Sequence, residues 1–336
     1  MEFKIMTESY DITIVGGGPV GMFAAFYAGM HNAKTQVVES LSSLGGQVDA
    51  LYPEKTILDV AGFPGVTGRD LIAGQREQLK QFPLTIKTDE SVTNVTPNAD
   101  GFLITTPKGT SQTRAVIVAV GNGAFKPRKL NVAGADDFAG KQLFYSVRDL
   151  EKFRGHRVMV AGGGDAAIDQ ALMLVPVAKS VTLLHRRAQF RGLAHMVDLL
   201  HESTVNVKTP YLIRDLQATA EGALDVTLKP VGAASDMVHQ VIDDLVVSYG
   251  FTADHSALAA WDVDMAEDRR LIAVDRQMTT SVPGIYAIGD GATYPGKEPL
   301  IAIGYGEAPI AVQAIMSTYF PDRRGPVHST SITPKP

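Results

Sequence analysis

Twice along this chain a short apolar run leads straight into a glycine-rich turn. Residues 12–15 (ITIV) precede GGGPVG at 16–21, and residues 158–161 (VMVA) precede GGGDAA at 162–167. Each reads as a strand ending in a tight turn, with a helix starting immediately after it. Gly16, Gly18 and Gly21 in the first copy, and Gly162, Gly164 and Ala167 in the second, allow the backbone to turn sharply and approach a ligand closely. The helix start adds free N–H groups and a positive dipole end suited to a pyrophosphate. One such motif is weak evidence, but two copies between strand and helix patterns point to two dinucleotides on one chain.

The residues after each turn separate the two sites. Residues 35–38 read as the next strand of the first unit and end at Glu39, where a carboxylate would accept hydrogen bonds from ribose hydroxyls and repel a 2′-phosphate. That position suits FAD or NAD. Residues 181–184 are the matching strand of the second unit and end in His185, Arg186 and Arg187, with Arg191 close behind. Guanidinium groups are planar, permanently charged donors that match a phosphate, so the second site reads as NADP. Near the other end, residues 284–288 form a short apolar strand closing on Gly289 and Asp290, with a helix-like stretch over 302–315. A carboxylate at that strand end, beside a helix start, suits the ribityl hydroxyls of a flavin.

With GGQVDALYPEK (45–55), DVAGFPG (59–65), GNGAFKPR (121–128), HRRAQFR (185–191), AIGD (287–290), TYPGK (293–297) and GYGEAP (304–309) beside the two glycine turns, the chain resembles the two-dinucleotide flavoprotein reductases over nearly its whole length. Within them it is most similar to the thioredoxin-reductase-like (type II) ferredoxin-NADP+ reductases. YPEK, TYPGK and GEAP carry that finer likeness. Composition supplies an independent test of the branch. Thioredoxin reductases use a redox dithiol, which needs two cysteines, and this chain has none. Electrons must therefore pass from the flavin directly to the acceptor.

The resemblance implies hydride transfer from NADPH to flavin N5, then one-electron steps to ferredoxin, with no acid–base catalytic residue. It assigns Glu39, Gln47, Tyr52, Val92, Phe125, Asp290 and Thr330 to FAD. Tyr52 stacks on the isoalloxazine, Val92 meets the adenine through its backbone, and His328, in a tail (325–336) that crosses to the other subunit of a homodimer, covers the outer face. Lys126, Arg128, Lys129, Arg323 and Arg324 are candidates to meet an acidic ferredoxin. Flavodoxin, a quinone or oxygen are the alternative acceptors on the same fold. A redox-silent FAD-binding sensor is a further alternative, one that leaves the basic HRR cluster without a purpose.

The expected fold class is α/β, with two Rossmann-like three-layer domains, the NADP domain (122–249) being inserted in a discontinuous FAD domain (1–121 and 250–336). Linkers are expected near 122–127 and 250–254, and the family's swivel between domains is implied by the resemblance. A 45% hydrophobic content over 336 residues can supply both cores, and a net charge of −5 leaves no basic nucleic-acid footprint. Residues 1–10 lack the pattern of a signal peptide, and no apolar run nears the ~20 residues of a membrane span, so a cytoplasmic protein without membrane partners is expected. The eight histidines show no metal-ligand spacing, and no metal is expected.

Overall fold

The computed structural model describes residues 8–232, 236–254 and 256–323. Thr330 and His328 lie outside them, as does Arg324. Among the described residues there are eight α-helices: α1 (Pro19–Met30), α2 (Gly46–Leu51), α3 (Gly68–Leu79), α4 (Ala135–Phe138), α5 (Asp165–Leu174), α6 (Ala194–Glu202), α7 (Ser256–Ala259) and α8 (Ile301–Tyr319). The chain divides into two compact units. One takes the residues up to Ala50, from Thr56 to Phe125 and from Ala253 on, and the other takes Leu51–Lys55 and Lys126–Thr252.

The first unit is built on a mixed sheet ordered Thr85–Lys87, Thr35–Val38, Glu8–Val15, Gly109–Val118, Gly101–Thr106, Asn94–Asn98, with Ile285–Ala287 also paired to Gly109–Val118. Its central strands are parallel, with Val15 opposite both Val38 and Val118, and Val118 opposite Ala287. Residues 12–15 and 35–38 are all buried, as expected of parallel strands covered on both faces. Gln36, fully buried, donates to Thr13 and Ser111 at 2.8 Å each, which ties three neighbouring strands through their polar side chains. Helix α1 opens on Pro19, whose missing N–H costs nothing in a first turn. It packs against α3 and α8. Helix α3 is capped by Thr67, whose hydroxyl oxygen accepts the Asp70 N–H at 3.0 Å.

The second unit has a five-stranded parallel sheet ordered Leu143–Phe144, Asp244–Ser248, Arg157–Gly162, Ser180–Leu184, Asn206–Lys208. Alternate residues of Arg157–Gly162 feed opposite cores. Val158 and Val160 pack with Phe153, Ile168 and Leu200, while Met159 and Ala161 pack with Leu224, Val226 and Leu245. The second core is closed by an antiparallel sheet of Tyr211–Ala218, Leu224–Pro230 and Val238–Ile242, which the sequence reading did not single out. The stretches read as loop-like linkers contain two strands, Ala124–Pro127 and Phe251–Asp254, which pair with one another. Among the described residues no helix is long and apolar enough to cross a membrane.

His31, just past the end of α1, is 1% exposed, and neither ring nitrogen has a hydrogen-bond partner. Burial holds its pKa below the ordinary 6.5. The unfolded chain therefore takes up a proton that the folded chain resists, so this residue's stabilising contribution is complete above about pH 6.5 and is lost as the pH falls below it. Thermal unfolding of the His31→Phe variant is expected to depend less on pH between about 6.5 and 5 than that of the parent chain. Parallel Tm–pH curves for the two proteins would remove His31 from the explanation.

Candidate dinucleotide sites

In the first unit the glycine turn is packed to the limit of what glycine allows. Gly16 adopts φ +105°, and a Cβ there would lie 2.4 Å from the Ala119 carbonyl oxygen. A Cβ on Gly21 would lie 2.0 Å from the Gly16 carbonyl oxygen, which is what lets α1 start directly behind the turn. No side chain caps α1 at Gly18, so its first-turn N–H groups remain for an anion.

Glu39 is 5% exposed and accepts the Gly17 N–H on Oε2 at 2.7 Å and the Leu41 N–H on Oε1 at 2.8 Å. The carboxylate thereby joins the glycine turn to the end of the second strand. Gly45 and Gly46 close the opposite side, the Gly45 N–H donating to the Gly17 carbonyl at 2.8 Å, and Gln47 follows on α2. Arg76 pins this loop by donating to the Leu44 carbonyl and, at 2.8 Å, to Asp49.

Asp290 is the middle residue of a 3-10 turn, Gly289–Gly291, that follows the strand Ile285–Ala287. A Cβ on Gly289 would sit 3.5 Å from Val20, so the turn abuts the first turn of α1. Burial pushes the Asp290 carboxyl up, with Lys297 opposing and Glu307 reinforcing the shift. Gly16, Gly18, Gly21, Glu39 and Asp290 thus gather at one end of α1, with Gln47 beside them. Val92 is buried, and its carbonyl accepts the Trp261 indole N–H at 3.4 Å. Tyr52 lies in the segment Leu51–Lys55 that groups with the second unit, and Phe125 lies in the strand Ala124–Pro127.

The second unit holds a cavity of about 570 Å³ over its glycine turn, lined by Gly162 to Ala167, His185, Arg186, Arg191 and, from elsewhere in the unit, Arg128, Tyr211 and Tyr249. The three glycines divide the work. A Cβ at Gly162 would strike the Ser248 carbonyl oxygen at 2.5 Å and one at Gly163 the His185 ring at 2.1 Å, whereas one at Gly164 meets nothing within 4 Å. Gly164 therefore borders open space, and no side chain caps α5 there. The arginine loop is fastened to this turn by its own backbone: the Arg191 N–H donates to the Gly163 carbonyl at 2.8 Å, and the Leu193 N–H to Asp165 at 2.8 Å.

His185 is 6% exposed, stacks on Phe190 with centroids 5.5 Å apart, and leaves Nε2 buried without a partner. Burial, then Arg191, Arg186 and Arg187, hold its pKa below the ordinary value, which keeps the ring neutral. Burial also raises the Tyr249 hydroxyl, against the pull of Arg186.

Arg187 is exposed on the same loop and acts electrostatically on His185, though it is not among the residues that line the cavity. Arg128, considered for a partner surface, lines the cavity instead, its N–H donating to the Gly250 carbonyl at 3.0 Å. Its charge was visible in the sequence but its destination was not. Of the other basic candidates, Lys129 pairs with Asp136 at 2.9 Å and Arg323 with Asp11 at 2.5 Å, while Lys126 is exposed.

Residues 10–316 match the family model described as pyridine nucleotide-disulphide oxidoreductase. The chain is 72% identical over 330 residues to the ferredoxin–NADP reductase of Levilactobacillus brevis, covering 98% of this chain and 100% of the relative. It is 54% identical over 331 residues to the ferredoxin–NADP reductase of Lactiplantibacillus plantarum, covering 98% and 100%. Among solved structures it is similar to the thioredoxin reductase of T. acidophilum, with a TM-score of 0.80 at 22% identity over 92% of this chain and 98% of that one, a likeness of fold alone. The chain belongs to the pyridine nucleotide-disulphide oxidoreductase family, among the ferredoxin–NADP reductases with the thioredoxin-reductase fold.

Proposed function

We propose that the chain is an FAD-dependent reductase that moves electrons between NADPH and ferredoxin, and that it works as a cytoplasmic homodimer. The observation that carries this reading is the opposite charge at two equivalent positions. Glu39 closes the first glycine turn with a carboxylate, while Arg186 and Arg191 face the second across an open cavity. The identity of the acceptor is supported by the relatives named ferredoxin–NADP reductase and by the absence of cysteine, which leaves no dithiol route.

The residues present fit both groups. Glu39 has lone pairs left for ribose hydroxyls, and the uncapped starts of α1 and α5 offer N–H groups to two pyrophosphates. Gly164 leaves the room that its pyrophosphate needs. Arg186 and Arg191 hold a 2′-phosphate, with the neutral His185 ring behind them adding no further positive charge. Asp290 presents its carboxyl beside the start of α1 for the ribityl chain. When bound, the flavin supplies the step from a two-electron hydride to single electrons. The protein's own part is to bind, orient and exclude water, and no side chain is needed as a general base.

The purified protein is expected to be yellow with FAD rather than FMN. NADPH oxidation with ferredoxin, flavodoxin, a quinone and oxygen compared side by side tests the acceptor. The highest kcat/KM is expected with ferredoxin, and a higher value with any of the other three would reassign it.

A further inference from the structure

Tyr294, Lys297 and Glu307 come from the TYPGK and GYGEAP stretches and close into one buried cluster in the first unit. Glu307, on α8, is 2% exposed. Its Oε2 accepts the Gly289 N–H at 2.7 Å, and its Oε1 accepts the Tyr294 hydroxyl at 2.7 Å and the Lys297 ammonium. The Lys297 and Glu307 side chains are 7% and 3% exposed. Deeply buried ion pairs are often no more stabilising than apolar residues of the same shape. What this one does supply is a fixed charge arrangement and a fixed direction for the groups bonded to it.

Here that direction is set on the backbone of the turn Gly289–Gly291, at the residue with φ +72° that immediately precedes Asp290. Lys297 and Glu307 also act electrostatically on Asp290, in opposite senses. Helix α8 meets α1 closely at the same level, since a Cβ on Gly304 would lie 2.3 Å from Val20. The cluster, the Asp290 turn and the start of α1 are therefore held as one piece.

We propose that Glu307 and Lys297 are positioning residues for the flavin: Glu307 holds the Asp290 turn in place, and the pair sets the local charge that the bound flavin experiences. This rests on the reading of the Asp290 turn as part of the FAD site.

The test uses the FAD-loaded protein with Glu307→Gln, Lys297→Met and the double variant, following FAD dissociation by flavin fluorescence and the flavin midpoint potential with redox dyes. Glu307→Gln leaves an ammonium without its counter-charge and favours the electron-rich flavin, so the potential should rise. Lys297→Met leaves the carboxylate uncompensated, so it should fall. Each shift is expected to reach a tenfold change in the ratio of affinities for reduced and oxidised flavin, about 30 mV for a two-electron couple. The double variant should return near the parent value.

Shifts of the same sign, or unchanged potentials with only a lower Tm, would make the cluster a plain structural brace and overturn the proposal. If Glu307→Gln does not accumulate folded, Lys297→Gln should still lower the potential, and Tyr294→Phe, which removes a bond but no charge, should leave it in place. Failure of either expectation overturns the proposal as well. Asp290→Ala separates the two layers of inference. It should weaken FAD at least tenfold, and unchanged affinity would remove the reading on which the proposal stands, whatever the pair does.

Discussion

The Arg186→Ala/Arg191→Ala double variant is expected to raise the KM for NADPH by roughly two to four orders of magnitude while leaving the KM for NADH almost unchanged. Both arginines line the cavity over the second glycine turn, and each guanidinium can offer a charge-assisted bond to a phosphate that NADH lacks. Such bonds are worth roughly 1.5–3 kcal/mol apiece, and each ~1.4 kcal/mol is a factor of ten. The loop carrying them is held by backbone bonds from Arg191 and Leu193, which neither substitution removes, so the fold of the cavity should survive. Arg187→Ala, outside the cavity wall, serves as the control and should change the KM for NADPH by less than about threefold. Steady-state kinetics with both coenzymes decide the matter. Equal weakening of NADH and NADPH would show that the arginines brace the cavity rather than select the coenzyme.

Gly21→Ala should give a protein that purifies with little or no flavin, its FAD occupancy down at least tenfold by the ratio of visible to ultraviolet absorbance. The added methyl would stand 2.0 Å from the Gly16 carbonyl oxygen, and the obstacle is backbone, which cannot swing aside as a side chain can. Either α1 lifts from the turn or the turn opens. Overpacking of this kind typically costs 1–3 kcal/mol, and it also moves the first-turn N–H groups away from where a pyrophosphate would sit. Gly164→Ala makes the instructive contrast. Its methyl meets no protein atom within 4 Å, so folding and FAD content should be normal while NADPH binding weakens because the methyl enters the cavity. Full FAD occupancy in Gly21→Ala would show that the first turn is not the pyrophosphate cradle.

The parallel strands were legible in the sequence because a strand covered on both faces must be apolar throughout. Residues 35–38 coincide with an observed strand, and 181–184 miss one residue of Ser180–Leu184. Gly109–Val118 shows where that signal stops. Its beginning, GTSQTR, is polar, and it is a strand because Gly101–Thr106 pairs with it on one side and the start of Glu8–Val15 on the other, a tertiary fact. The strands Ala124–Pro127 and Phe251–Asp254 were hidden for the same reason, since glycine and proline at their edges read as loop. In the sites, Gly16, Gly164, Glu39 and Arg186 could be placed by spacing alone. Arg128 could not, because only the return of the chain at Gly250 brings it to the cavity. Nor could the burial of Lys297 and Glu307, for no local pattern distinguishes a buried ion pair from two solvated charges.

Every wall of the NADP-type cavity comes from one uninterrupted length of chain, from Arg128 to Gly250, and those two residues are joined by a backbone hydrogen bond of 3.0 Å. If NADPH binds in this cavity, the choice of coenzyme is encoded in a cassette whose entry and exit lie side by side. Exchanging it between relatives would take two cuts in the gene, with Lys55, which pairs with Asp169 at 2.6 Å from outside that length, matched to the incoming piece. Coenzyme preference could then be altered without rewriting the residues around Glu39 or Asp290.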